Sequence, residues 1–301
     1  MARQVGLVFT GKVDEFSFYY DRLHGYLVRR TGGVTSKQYR TQERYAAARD
    51  ASSEFALVSR AGKLIRDALK PFVQPIKDGT MVNRLNKELV ALKQKDTVHS
   101  RGKRRPETMM ADGEANTYFR IFQFNEGVKT YELTKHFPAV IRKPHSLLMS
   151  VSGLLSSAFP EGATHAGLTL VRAVIDFEKD CFETSSSRMV VVSCDNQDDL
   201  FLELQELPAC AGIELVCLQV VFLREQNGDL VQLPRAVHSM GMVAVGMVEL
   251  PMKKGVSRIA RPVRLRAGFY RKARILSRRK EKVFVVSGNY RYSGCSPPLK
   301  T

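Results

Sequence analysis

Apolar and polar residues alternate at the front of the chain. Val5, Leu7 and Phe9 recur at every second position, and Phe16, Phe18 and Tyr20 do the same. A period of two is that of a half-buried strand, so residues 4–30 read as strands, with Tyr26-Leu27-Val28 following a turn at His24-Gly25. Gly11 lies between the first two runs, where a tight connection calls for glycine. Thr31-Gly32-Gly33 then stops the sheet.

The period changes after that. Ala48, Ala51, Phe55, Val58, Gly62, Ile65 and Leu69 are spaced by alternating threes and fours, which places them along one face of a long helix. Thr35 and Gln38 match a capping box at its start, and Pro71 is expected to end it. Arg44, Arg49, Arg60, Lys63 and Arg66 lie largely around the apolar face. The small residues at 48, 51 and 62 leave room for another element. A second helix is expected from about residue 80 to 93, with Val82, Leu85, Leu89 and Leu92 on its apolar side. The short turn 71–79 makes the pair an antiparallel hairpin.

From Tyr118 the pattern returns to strands: 118–124, 139–142, 146–151, 164–177, 188–193, 213–224, 229–233 and 237–249. Asn227-Gly228 between two apolar runs predicts a type I′ hairpin. Many short strands separated by Pro, Gly, Ser and Asp predict an antiparallel β-sandwich of immunoglobulin-like size. The Cys…Trp…Cys signature of a true immunoglobulin domain is absent, so the expectation concerns architecture only. The fold class read from the pattern is α+β. It comprises a strand and helical-hairpin module over residues 1–95, a basic linker at 96–117, the sandwich at 118–250 and a tail at 251–301.

Charge sharpens this division. Residues 1–110 carry 22 basic and 11 acidic side chains, residues 111–250 carry 10 and 18, and residues 251–301 carry 15 and one. Two basic ends flank an acidic body, and the pI of about 9.8 points to polyanionic partners, nucleic acid before anionic membrane. No apolar run is long enough to span a membrane, and no secretory signal opens the chain. Five cysteines without CxxC spacing fit a reducing compartment, so a cytoplasmic location is expected.

Catalytic signatures are missing: there is no GxSxG, HExxH, GxxxxGK[ST] or GxGxxG. Six scattered histidines lack metal-ligand spacing. Asp195, Asp198 and Asp199 lack the Gly and distal Glu of a calcium loop and read as a solvated acidic loop. A hydrolytic site would have to be assembled from Ser150 or Ser152 with His145, or from His165 with Asp176, and is the weakest reading. No cofactor or metal is expected.

Phosphate contacts have a firmer basis, because guanidinium groups pair with phosphate oxygens and aromatic faces stack on unpaired bases. The candidates are Arg44, Arg60, Lys63 and Arg66 on the helix, and Arg101, Lys103, Arg104 and Arg105 in the linker. In the tail they are Arg264, Arg266, Arg271, Arg274, Arg278 and Arg279, with Phe269, Tyr270, Phe284, Tyr290 and Tyr292 close by. A solvated tail, or one docked on an acidic body, is the competing picture. The reading is a non-enzymatic protein that binds phosphate backbones without sequence specificity. The alternative is a self-assembling structural subunit of a phage-like particle or filament. A homo-oligomer is expected, through the Ala/Gly-lined helix or the sandwich.

One succession of residues carries a resemblance. It runs through Gly11-Lys12-Val13, Phe18-Tyr19, Gly25-Tyr26-Leu27-Val28-Arg29, Gly32-Gly33-Val34, Arg44, Glu54-Phe55, Gly62-Lys63-Leu64 and Arg66. It continues with Met81-Val82, Arg84-Leu85, Arg101-Gly102, Phe122, Phe124, Gly162-Ala163-Thr164-His165 and Ile175-Asp176-Phe177. It resembles a family of uncharacterised Bacteroidota proteins with a basic N-terminal module and a β-sandwich. The N-terminal pattern is similar to small proteins of phage-type gene clusters. The resemblance covers about residues 3–250, with Asp14 where such sequences often have Gly, and the tail from Lys253 lies outside it. It implies a structural or nucleic-acid-associated role and assigns no catalytic residue.

Overall fold

The computed structural model describes residues 2–30, 34–76, 78–114, 116–143, 145–205, 211–248, 283–286 and 290–295. The fold is mixed α/β with mostly antiparallel sheets, and the chain divides into two compact units, Met1–Ser52 and Ser53–Thr301.

In the front unit, β1 (Ala2–Arg3), β2 (Gly11–Val13), β3 (Phe16–Asp21) and β4 (Gly25–Arg30) form one antiparallel sheet in the order β1-β4-β3-β2. The β3–β4 turn falls where expected. Asp21 Oδ1 accepts from the amides of Leu23 and His24 at 2.9 and 2.8 Å, and Gly25 takes the positive φ that closes the turn. The run Val5, Leu7, Phe9 alternates but is not a strand. Its loop is held by the Gln4 side chain, whose Oε1 accepts from Phe9 N at 2.8 Å and whose Nε2 donates to Leu27 O at 2.9 Å.

The capping box is present, with Gln38 N donating to Thr35 Oγ1 at 3.2 Å and Thr35 N to Gln38 Oε1 at 3.0 Å. It starts a short helix, α1 (Ser36–Thr41), rather than the long one. Gln42 is extended and breaks the run, and the long helix α2 (Ala46–Val73) begins after a 3-10 turn at Glu43–Tyr45. Pro71 lies inside α2 instead of ending it. So near the C-terminus it removes one backbone donor, and the helix stops two residues later. The expected apolar stripe also shifts. Ala48, Ala51 and Phe55 are exposed, and burial sets in with Val58, Ala61, Leu64, Ile65, Ala68, Leu69 and Phe72.

The second unit is built on two long strands, β7 (His165–Asp176) and β11 (Gly212–Gln226), paired antiparallel over eleven positions from Ile213↔Ile175 to Leu223↔His165. Each has two outer partners. Along β11 these are β12 (Asp229–Gln232) and β13 (Ser239–Val248). Along β7 they are β8 (Cys181–Ser186) and β9 (Met189–Ser193). Strands β14 (Val283–Val286) and β15 (Tyr290–Cys295) pair with β9 and β8, giving a large curled sheet of eight strands. A smaller sheet has the order β10-β6-β5, from β10 (Leu200–Gln205), β6 (Ser146–Val151) and β5 (Ala139–Arg142).

Odd and even residues of the long strands enter different cores. Val171, Ala173, Ile175, Ile213, Leu215 and Cys217 pack with α2, with α3 (Met81–Gln94) and with Met109 and Met110 of α4 (Pro106–Met110). Ala166, Leu168, Leu170, Val216, Leu218 and Val220 pack with Leu147, Met149, Leu202 and Leu204 of the smaller sheet. Ten successive residues of β7 are therefore buried. That pattern belongs to a strand covered on both faces, and it departs from a free-standing immunoglobulin-sized sandwich, whose outer faces meet water. Thr184 Oγ1 donates to Ala68 O at 2.8 Å and Gln219 Nε2 to Phe72 O at 2.9 Å, tying the end of α2 to the large sheet.

The expected helical hairpin holds. Glu54 pairs with Lys93, and Gly62 lies against Asn86 and Leu89, so partners run in opposite directions along α2 and α3. The hairpin belongs to the same compact unit as the large sheet. Two expectations on strands are corrected. Residues 118–124 form a 3-10 turn at Phe119–Ile121 and an isolated bridge Gln123↔Gly241, because Phe119, Phe122 and Phe124 are anchored in the core. Strands β8 and β10 were not expected, although Leu200, Leu202 and Leu204 of β10 alternate with exposed positions as a half-buried strand does. The Asn227-Gly228 turn is as predicted, with both residues at positive φ and Gln226 paired with Asp229.

Candidate polyanion interface

The alternation of β3 and β4 sorts the front sheet into two chemically different faces, since directly paired residues of neighbouring strands point the same way. One face carries Lys12, Ser17 and Arg29 in one row, and Tyr19, Leu27 and Arg3 in the next. The Arg29 guanidinium carbon lies 5.5 Å from the centre of the Tyr19 ring, a cation–π contact that turns the charge across the sheet. Arg3, Lys12 and Arg29 form no ion pair with any described residue. The other face carries Val13, Phe16, Phe18, Tyr20, Tyr26 and Val28.

None of these three cations was among the expected phosphate contacts. The signal was available, because the same alternation that marks Phe16, Phe18 and Tyr20 as one face puts Arg29 and Lys12 on the other. Density of positive charge along the chain instead marks the helix, the linker and the tail.

The expected residues fall into three groups. Arg44, Lys63, Arg101, Lys103 and Arg105 are exposed. Arg44 lies 4.8 Å from the Tyr45 ring centre and donates through Nε to Gln42 Oε1 at 2.9 Å. A second group is ion-paired or drawn out of water. Arg60 is held by Asp180, with Nε donating to Oδ1 at 2.8 Å, and that hydrogen bond raises the guanidinium pKa further. Arg66 is half-buried with Nη1 enclosed and unpartnered, and burial lowers its pKa. Arg104 is half-buried, its Nε is enclosed without a partner, and its charge acts on Glu54. The third group, Arg264, Arg266, Arg271, Arg274, Arg278 and Arg279, lies outside the described residues.

Residues 96–106, in the expected linker, are folded rather than a loose connector. Asp96 is buried and accepts from the amides of Val98, His99 and Arg105 at 2.9, 3.2 and 2.9 Å. Glu54 accepts from Gly102 N at 2.8 Å while pairing with Lys93. Burial pushes the pKa values of Glu54 and Asp96 up, but these hydrogen bonds and charges outweigh it and hold both below the usual carboxylate range. Glu107 behaves oppositely: burial dominates and raises its pKa, against the charges of Arg105 and Arg60. The backbone of 96–106 is thus wound around two carboxylates, and Arg101, Lys103 and Arg105 project from a fixed loop.

The pieces of the dispersed hydrolytic site do not come together. His165 and Asp176 open and close β7, about 35 Å apart at strand rise. His165 Nδ1 bonds Thr164 Oγ1 at 2.9 Å, and Asp176 pairs with Lys179. Ser152 Oγ accepts from His136 N at 3.0 Å. Among the described residues no group of three or more His, Cys, Asp or Glu is arranged to hold a metal ion, Asp195, Asp198 and Asp199 included. No helix among them is long and apolar enough to cross a membrane.

The chain matches no protein-family model, no curated protein and no solved structure.

Proposed function

We propose that this chain is a non-enzymatic nucleic-acid-associated protein that holds phosphate backbones without reading sequence. The observation that carries this reading is the cationic face of the front sheet, where Arg3, Lys12 and Arg29 are exposed and form no ion pair with any described residue. Exposed cations spread over a sheet neutralise phosphates. Arg44, Lys63, Arg101, Lys103 and Arg105 are exposed as well, and they and the tail arginines add positive charge along the chain. In this reading the acidic body, taken as a sandwich of two sheets backed by helices, carries protein contacts. The resemblance to proteins of phage-type gene clusters is in keeping with it.

Fluorescence anisotropy with mixed-sequence single-stranded and duplex DNA, at two salt concentrations, tests the proposal. Binding is expected to weaken steeply with salt. In a triple variant Arg3→Gln, Lys12→Gln, Arg29→Gln, the slope of log affinity against log salt should fall by about 2–3 units. Absent binding, or binding indifferent to salt, overturns the reading.

A second reading, a self-assembling structural subunit, is favoured by a different observation: among described residues of Met1–Ser52 no side chain is buried.

A further inference from the structure

The face of the front sheet opposite its cations is apolar and open. Phe16, Phe18 and Tyr20 of β3 share it with Tyr26 and Val28 of β4 and Val13 of β2. Phe9 reaches it from the preceding loop and meets Phe18 edge-on at 5.9 Å, and Tyr20 meets Tyr26 at 5.1 Å. These contacts order the rings without covering them. A sheet with one apolar face is stable when a second layer covers it, and a unit this small has little interior of its own.

We propose that this face docks on the same face of a second copy, the two sheets stacking about 10 Å apart around a two-fold axis. Charge selects the occupant. Arg30, the one charge on this face, is neutralised by Glu15 at 2.6 Å, so two such faces meet without repulsion. The opposite face carries three cations that form no ion pair with a described residue, against the single carboxylate of Asp21, and its net positive charge repels its own copy. Area agrees. Phe9, Val13, Phe16, Tyr20 and Tyr26 are 53, 57, 45, 60 and 37% exposed. With aromatic side chains of about 150–250 Å² each, that leaves about 500 Å² of apolar surface per copy. Two copies together bury about 1,000 Å², which reaches the lower bound of a specific interface.

This is not the dimer expected from the sequence. Gly62 of the Ala/Gly-lined helix is already used inside the chain, against Asn86 and Leu89 of α3. The sheet-to-sheet dimer turns both cationic faces outward. It does not depend on polyanion binding and stands or falls separately from it.

Sedimentation velocity of the nuclease-treated full chain at about 0.5 M salt, where polyanion bridging is screened, is the test. A reversible dimer is expected. Tyr20→Lys should raise its dissociation constant at least about tenfold, equivalent to about 1.4 kcal/mol. Val13→Lys, at the rim of the same face, should do likewise, and Lys12→Glu on the opposite face should not weaken it. Circular dichroism checks that each variant is folded. A wild-type chain that stays monomeric up to about 100 μM would overturn the proposal, since 1,000 Å² then contributes less than a weak complex needs. So would an oligomer indifferent to both Tyr20→Lys and Val13→Lys.

Discussion

Two guanidinium groups share the carboxylate of Glu214. Arg172 Nε donates to Oε1 at 2.5 Å, and Arg142 donates to Oε2 through Nε at 3.1 Å and Nη2 at 2.5 Å. The side chains of Arg172 and Glu214 are each 2% exposed, so the pair is out of water and survives only because each charge answers the other. Arg172 Nη1 and the cross-strand Ser185 Oγ already lack partners there. Glu214→Gln keeps the shape and removes the charge, leaving Arg172 buried and uncompensated. Urea unfolding at pH 7 should show a loss of about 3–5 kcal/mol. A loss below about 1 kcal/mol would mean that water reaches the pair.

At the scale of elements, the long strands are where the body is decided. Strand β11 opens at Gly212 with φ +146°, and a Cβ there would lie 2.4 Å from the Ile175 carbonyl oxygen. Both the dihedral and the close approach of backbone exclude a side chain. Gly212→Ala should therefore destabilise by about 2–3 kcal/mol, seen as a lower urea midpoint with an unchanged slope. Gly228, equally left-handed, lies in an open turn with nothing within 4 Å, so strain alone acts there. The helices show the reverse dependence. The stripe on α2 was legible as a period of 3.6, but which part of it is buried follows from where α3 and the sheet lie against it.

At the scale of the whole molecule, stability is expected to fall in two steps as pH drops. His238 is buried and its Nδ1 accepts from Phe222 N at 3.2 Å, so the folded state holds the ring neutral and burial lowers its pKa. Its contribution is fully present above the unfolded value near 6.5 and is lost as pH falls through the folded one. Glu54, Asp78 and Asp96, all with lowered pKa values, act further down. Their stabilisation is complete above the unfolded carboxylate values of about 4 and is lost as pH falls through the lower folded ones. Thermal melts from pH 8 to 3 should show a shallow decline beginning near pH 6.5 and a steep one below about pH 4. His238→Gln should remove the first step and leave the second. A single acid transition in the wild type would show that His238 keeps access to water.

What the sequence determined by itself is local. The β3–β4 and Asn227-Gly228 turns, the α3 helix, the α2–α3 hairpin and strands β5, β6, β7, β9, β11, β12 and β13 follow from period, caps and glycine conformations. Those signals arise within a few residues. The sorting of charges into blocks is also written there, and with it the expectation of a polyanion partner. Tertiary structure alone decided which cations are free. Arg60 meets Asp180 from 120 positions away, Arg66 and Arg104 are drawn into the body, and Arg3, Lys12 and Arg29 share one face without an ion pair to any described residue. Tertiary structure also decided that β7 is covered on both faces, and that no described side chain of Met1–Ser52 is buried. Burial and pairing belong to neighbours distant in sequence, and no local pattern records them.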